Sequence, residues 1–207
     1  MNERNEKSTL KVTKEVVKKN LPITRVVSFT SGKGGVGKTT SVLNTALSLA
    51  NRGRSVLILD ADLGLANLDV MIGAKPSATL FDVIEGRCSI KDIIVDGPLG
   101  ISLIPASSGI ERMCQLSATD RATVMEAVED IALHYDYLLI DTQAGIGPDV
   151  IHFNIASNEM ILVVNPEPTS LTDAYALVKV LSQRYKEKKF GVMVNEVVDA
   201  HEAETVF

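Results

Sequence analysis

Cysteine is scarce in this 207-residue chain, with only Cys88 and Cys114 present. The two stand far apart and form neither a disulfide framework nor a C-x-x-C pair, so free thiols are the expected state. Histidine is equally sparse, and His134, His152 and His201 show no ligand spacing. That excludes a zinc centre recognisable from sequence. Although 45% of the residues are hydrophobic, no run approaches the roughly 20 apolar residues of a membrane-spanning helix. The N-terminus is polar and lacks the apolar core of a secretory leader. A surplus of positive charge is missing as well. The formal net charge of −5 argues against nonspecific nucleic-acid binding as the main activity. There is no internal repeat.

What is present is enough chain for a large core and a regular alternation of patterns. Residues 1–22 form a polar, basic lead, with six Lys or Arg against three Glu over the first 20 positions. Only Leu10, Val12, Val16 and Val17 give it a weak apolar face, which reads as a tail or as a partner-binding helix. From residue 23 to 207 the pattern predicts one domain. Apolar, β-branched runs predict strands near 25–30, 55–60, 101–104, 137–140, 160–164 and 190–194. Helical spacing falls near 39–51, 79–85, 119–133 and 170–187, with Thr119-Asp120 as a start signal for the third. Alternation of this kind predicts an α/β fold: a doubly wound, largely parallel sheet with helices on both faces.

Between the first predicted strand and the first helix lies Gly32-Lys33-Gly34-Gly35-Val36-Gly37-Lys38-Thr39. This is a complete G-x-x-x-x-G-K-T phosphate loop in its strand–loop–helix context. Its glycines allow the backbone N–H groups to turn inward around a phosphate. The helix N-terminus that follows adds unpaired N–H groups and the positive end of its dipole. Lys38 is expected to reach the β- and γ-phosphates, and the Thr39 hydroxyl to ligate Mg²⁺. The loop therefore predicts a nucleoside triphosphate with Mg²⁺.

Two further apolar runs end in carboxylates. Val56 to Leu59 leads into Asp60-Ala61-Asp62, and Leu138 to Ile140 leads into Asp141. Acids at the C-terminal ends of parallel strands lie beside the phosphate loop. Spacing of two puts Asp60 and Asp62 on one side if the strand persists. Asp141 is placed to hold a water of the Mg²⁺ shell. Gly145, four residues on, can offer its N–H to the γ-phosphate and move when that phosphate leaves.

Lys33-Gly34-Gly35-Val36-Gly37-Lys38-Thr39-Thr40 resembles the deviant Walker A loop of the MinD/ParA ATPases. The resemblance covers about residues 25 to 198. It implies ATP with Mg²⁺ held by residues 32–40, and a homodimer facing across two nucleotides. It implies that the signature lysine, Lys33, supplies charge to the partner's phosphates as an arginine finger does. Asp60-Ala61-Asp62-Leu63-Gly64-Leu65-Ala66-Asn67-Leu68-Asp69 resembles the family's first switch. By that match Asp62 orients the attacking water and Asp60 lies near the metal. Asp141-Thr142-Gln143-Ala144-Gly145 resembles the second switch, with Gln143 where proline is usual. Asn195, at the end of the last strand, matches the position that reads the adenine edge; a capped strand end explains it equally. Glu167 matches a position near the partner's nucleotide, and Thr169 or Ser170 reads as a helix N-cap. The iron–sulfur relatives carry a cysteine after the second switch, and none follows Asp141 here.

Within the family, the Asp60–Asp69 and Asn165–Tyr175 stretches look most like the MinD-like flagellar-number regulators of the FlhG/FleN type. That resemblance implies a slow ATPase switch controlling flagellar number or placement. Its implied partners are a signal-recognition-type GTPase or a flagellar transcription activator. Residues 1–22 lack the D-Q-A-x-x-L-R motif of some members. Alternatives are a ParA-like DNA-partitioning ATPase, a septum-site-determining ATPase, a metabolic P-loop enzyme and an adaptor that only binds nucleotide. The acidic balance weighs against DNA, and the presence of both Asp62 and Asp141 against the adaptor. Phe207 closes the chain just past the last predicted strand, where resembled proteins continue; a truncated or short version is expected. Nothing in it has the pattern of a C-terminal amphipathic membrane helix. A cytoplasmic protein follows, peripheral at the membrane only through such a helix in a longer form.

Overall fold

A computed structural model describes residues 23–63, 66–107, 116–186 and 189–206. The basic lead at 1–22, Gly64 and Leu65 of the first switch, and Cys114 lie outside the described residues. Seven strands form one sheet: β1 (Arg25–Thr30), β2 (Val56–Ala61), β3 (Val95–Asp96), β4 (Ser102–Ile104), β5 (Tyr137–Thr142), β6 (Glu159–Val164) and β7 (Gly191–Val194). The helices are α1 (Lys38–Asn51), α2 (Leu68–Ile72), α3 (Leu80–Ile84), α4 (Ala118–Ala132), α5 (Pro148–Ala156), α6 (Pro168–Tyr185) and α7 (Ala200–Val206). The strand order is β3-β4-β2-β5-β1-β6-β7. All neighbours run parallel except the short β3, which is antiparallel to β4.

The doubly wound sheet expected from the sequence is the observed one. Every residue of β2 is buried, as a strand covered on both faces requires. Its side chains alternate between two cores. Leu57, Leu59 and Ala61 pack with Val124 and Val128 of α4 and with Phe153 of α5, while Val56 and Ile58 pack with Val42 and Ala46 of α1. A third cluster joins Val150 and Ile151 of α5 to Leu177 and Leu181 of α6 across β6. Strands β2 to β5 all lie on one side of β1, and β6 and β7 on the other, so the strand order reverses at β1. A crevice at the C-terminal ends of the strands forms at such a reversal, and the loop leaving β1 lies in it.

Several local expectations are corrected. Helix α4 begins at Ala118, not after Thr119-Asp120. Ser117 is its N-cap: the Ser117 Oγ accepts the Asp120 N–H at 3.0 Å, and Asp120 accepts the Ser117 N–H at 3.3 Å. This reciprocal box contributes on the order of 1 kcal/mol. Helix α6 begins at Pro168, with Glu167 at the N-cap and no side-chain cap bond. Proline has no N–H to leave unsatisfied at the first helical position, so neither Thr169 nor Ser170 serves as the cap. Ser170 is buried instead, and its Oγ accepts the Asn165 N–H at 3.2 Å.

No helical period marks α5 in the sequence, because Val150, Ile151 and Phe153 are buried while the exposed positions include the apolar Ile155 and Ala156, so no clear polar face opposes the buried one. The helices α2 and α7 and the two-residue β3 are too short to give a period. Asn154 anchors α5. Its Nδ2 donates to Thr30 Oγ1 and to the Val150 carbonyl, and its Oδ1 accepts from Ser28 Oγ at 2.8 Å. This buried network ties α5 to the strand that carries the phosphate loop.

Candidate nucleotide site

The sheet register gathers the expected acids. Asp60 of β2 lies opposite Asp141 of β5, and Asp141 lies opposite Phe29 of β1. The ends of β2, β5 and β1 are thus adjacent, and the glycine loop closes over them. The resulting cleft, about 310 Å³, is lined by Ser31, residues 34–40, Asp62, Asn67 and Ala144. Lys38, Thr39, Thr40 and Asp62 meet there as expected; Val36 contributes backbone while its side chain is buried in the core.

Two loop glycines are fixed by their surroundings. A Cβ on Gly32 would come within 2.1 Å of the Asp173 carbonyl carbon, so the start of the loop packs on the backbone of α6. Gly37 has φ +83, and a Cβ there would meet Asn195 Nδ2 at 2.1 Å. Gly37 is also the N-cap of α1, which has no side-chain cap and no acid in its first turn. By contrast, α2, α3, α4, α5 and α7 each carry an Asp or Glu in the first turn. The N-terminus of α1 therefore keeps its N–H groups and positive dipole end for an external anion.

Lys38 is 8% exposed and pairs with Asp141, 1% exposed, at 2.5 Å. Asp60 is also buried, and its two oxygens accept the N–H groups of Asp62 at 3.2 Å and Leu68 at 3.3 Å. Burial, and then the neighbouring Asp141 charge, push the Asp60 carboxyl up to about 7. Its oxygens thus face the turn that presents Asp62 and opens α2, and Asp60 does not line the cleft. Gly145, at φ +100, donates its N–H to the Ser31 carbonyl at 2.8 Å, so this N–H is turned to the loop rather than to a γ-phosphate position. Asn195 donates Nδ2 to the Val36 carbonyl at 3.0 Å, reaching the loop from outside the cleft.

Lys33 lies apart from the cleft. Its ammonium donates to Glu167 at 2.5 Å and to Thr169 Oγ1 at 2.9 Å, at the start of α6. The bond from Lys33 holds the Glu167 carboxyl below its ordinary range.

A family described as an AAA domain matches residues 24–193. The chain belongs to it, as a MinD/ParA-type P-loop ATPase. It is 48% identical over 183 residues to the antiactivator FleN of Pseudomonas aeruginosa, covering 88% of this chain and 65% of that protein. It is 38% identical over 164 residues to the flagellum site-determining protein YlxH of Helicobacter pylori, covering 79% of this chain and 56% of that one. The chain thus spans less than two thirds of the length of these curated relatives. Its fold superposes on the cell division ATPase MinD of Pyrococcus furiosus with a TM-score of 0.76 at 30% identity, covering 89% of this chain and 79% of that one.

The donor set fits Mg²⁺. Among the described residues no three His, Cys, Asp or Glu gather as a metal cage. The Thr39 hydroxyl in the cleft and the Asp141 carboxylate beside Lys38 are oxygen donors, with no nitrogen or sulfur donor beside them in the expected set. Few carboxylates, with phosphate oxygens completing the shell, is how Mg²⁺ is usually held. No helix among the described residues is long and apolar enough to cross a membrane.

The sequence did not single out Ser31, Asn67, Ala144 or the Asn154 network. Ser31 was legible only as the residue joining β1 to the loop. The others depend on turns and packing that no local pattern carries.

Proposed function

We propose that this chain is an ATP-hydrolysing switch that pairs with a second copy when ATP is bound and sets flagellar number or placement. One observation carries the pairing. Lys33, a loop lysine, points away from its own cleft and is held at the rim by Glu167 and Thr169. A cation so placed serves a facing copy rather than its own phosphates.

In the proposed cycle the N–H groups of residues 34–39 and the open N-terminus of α1 receive the phosphates. Lys38 changes partner from Asp141 to the β- and γ-phosphates, which releases the Asp141 carboxylate. Thr39 and Asp141 would hold Mg²⁺, which supplies charge neutralisation at the β- and γ-oxygens. Asp60 keeps the turn that aims Asp62 into the cleft, and Asp62 orients a water in line with the γ-phosphorus. The water oxygen bonds to phosphorus, the bond to the β–γ bridging oxygen breaks, and the water's proton leaves with the phosphate. Gly145 exchanges its bond to Ser31 for the γ-phosphate and returns when phosphate departs, which couples hydrolysis to the paired face.

The flagellar role is supported by the higher identity to the two flagellar relatives than to the cell division ATPase. A GTPase or transcription activator of flagellar assembly is the partner this reading implies. The setting this reading implies is cytoplasmic. The test is Lys33→Ala. Hydrolysis and ATP-dependent association should both be lost while ADP binding persists, and cells carrying the variant should show an altered flagellar count. Unchanged hydrolysis and association would refute the reading.

A further inference from the structure

Asn195 directly follows β7 and carries the pairing with β6 one residue further, its N–H donating to the Val164 carbonyl at 2.7 Å. Its side chain then crosses to the phosphate loop, where Nδ2 donates to the Val36 carbonyl at 3.0 Å. The planar trans peptide between Val36 and Gly37 points its C=O and N–H in opposite directions. Tying the carbonyl outward to Asn195 turns the Gly37 N–H toward the cleft. Gly37 permits this contact, because a Cβ there would lie 2.1 Å from Asn195 Nδ2.

The residue after Asn195 is tied back to the end of β6. Glu196 has φ 60, a left-handed conformation uncommon outside glycine. Its carboxylate accepts from Asn165 Nδ2 at 2.8 Å. Asn165 is 4% exposed, sits at the end of β6, and its Oδ1 has no hydrogen-bond partner among the described residues. The Glu196 carboxylate is therefore what orients this buried amide.

We propose that Asn165, Glu196 and Asn195 form a brace that fixes the Val36–Gly37 peptide, and that Asn195 acts on the nucleotide through the loop backbone. This rests on the phosphate-loop reading given above. Asn165 and Glu196 are positioning residues, and neither lines the cleft. A brace on the loop affects any ligand that carries the phosphates, whatever its base. A residue reading adenine affects only adenine nucleotides.

The experiment is calorimetric titration of the full chain with ADP, GDP and inorganic pyrophosphate, each with Mg²⁺. Loss of one hydrogen bond predicts that Asn195→Ala weakens all three by a similar factor, about five- to tenfold. Asn165→Asp sets two carboxylates against each other and should weaken all three likewise. Adding Glu196→Gln to Asn165→Asp restores a donor–acceptor pair with its roles reversed, and binding should recover. Pyrophosphate affinity unchanged in Asn195→Ala, or no recovery in the double variant, would overturn the brace. Failure of the unaltered chain to bind any of the three would instead overturn the phosphate-loop reading on which the brace depends.

Discussion

Lys38→Met should destabilise the nucleotide-free protein, not only abolish nucleotide binding. The lysine is 8% exposed and its partner Asp141 is 1% exposed. Asp60, 2% exposed, lies across the β2–β5 pairing from Asp141. Removing the ammonium leaves two neighbouring buried carboxylates with no cation between them. Breaking a buried pair from one side typically costs about 3–5 kcal/mol. For a chain of this size that corresponds to a fall in melting temperature of roughly 6–20 °C. Methionine keeps most of the side-chain volume, so packing contributes little to the difference. Urea unfolding without nucleotide, with Mg²⁺ chelated, measures the loss directly. Asp141→Asn in the same background should recover much of it, because an amide tolerates burial without a counterion. A Lys38→Met protein as stable as its parent would show that the pair contributes nothing to the empty fold, and the exchange of partners proposed for Lys38 would lose its basis.

Asp60 gives a pH dependence. Its carboxyl is held at about 7 in the folded protein against an ordinary 3.8, so the folded state binds this proton more tightly than the unfolded state. The stability it contributes is complete below about pH 4 and is lost as pH rises through about 7, a change on the order of 4 kcal/mol. Urea midpoints should therefore fall between pH 5 and 8, and Asp60→Asn should flatten that slope. Gly32→Ala forces a Cβ to within 2.1 Å of the α6 backbone; it should lower stability by about 1–3 kcal/mol, as overpacking does, with hydrogen exchange quickened at the start of α6. Asn154→Val removes a fully buried amide that joins Ser28 and Thr30 to α5. The stranded hydroxyls should cost about 1–3 kcal/mol in thermal unfolding, with Ser28→Ala in the same background recovering part of it.

The fold was legible where the sequence carried a period. β1, β2, β5 and β6 are continuous apolar runs ending in a loop or an acid, and α1, α4 and α6 show an inward stripe. The phosphate loop, Lys38, Thr39, Asp62 and Asp141 could be placed because strand ends and a glycine signature fix them locally. Other features needed three dimensions. Nothing within Asp60-Ala61-Asp62 says that one carboxylate turns to backbone N–H groups and the other to the cleft. That division follows from β2 ending at Ala61, which frees Asp62 from the strand's alternation. Asn165, Asn195 and Glu196 meet only because β6 and β7 run side by side, and Glu167 meets Lys33 only because Gly32 lets the loop rest on α6.

The most direct measurement is the mass in solution of the Asp62→Ala protein with Mg²⁺ and either ADP or ATP. A monomer with ADP that becomes a dimer with ATP, and fails to do so once Lys33→Ala is added, is the predicted result. ATP bound by a protein that remains monomeric, or a dimer that forms equally well without Lys33, would contradict the switch.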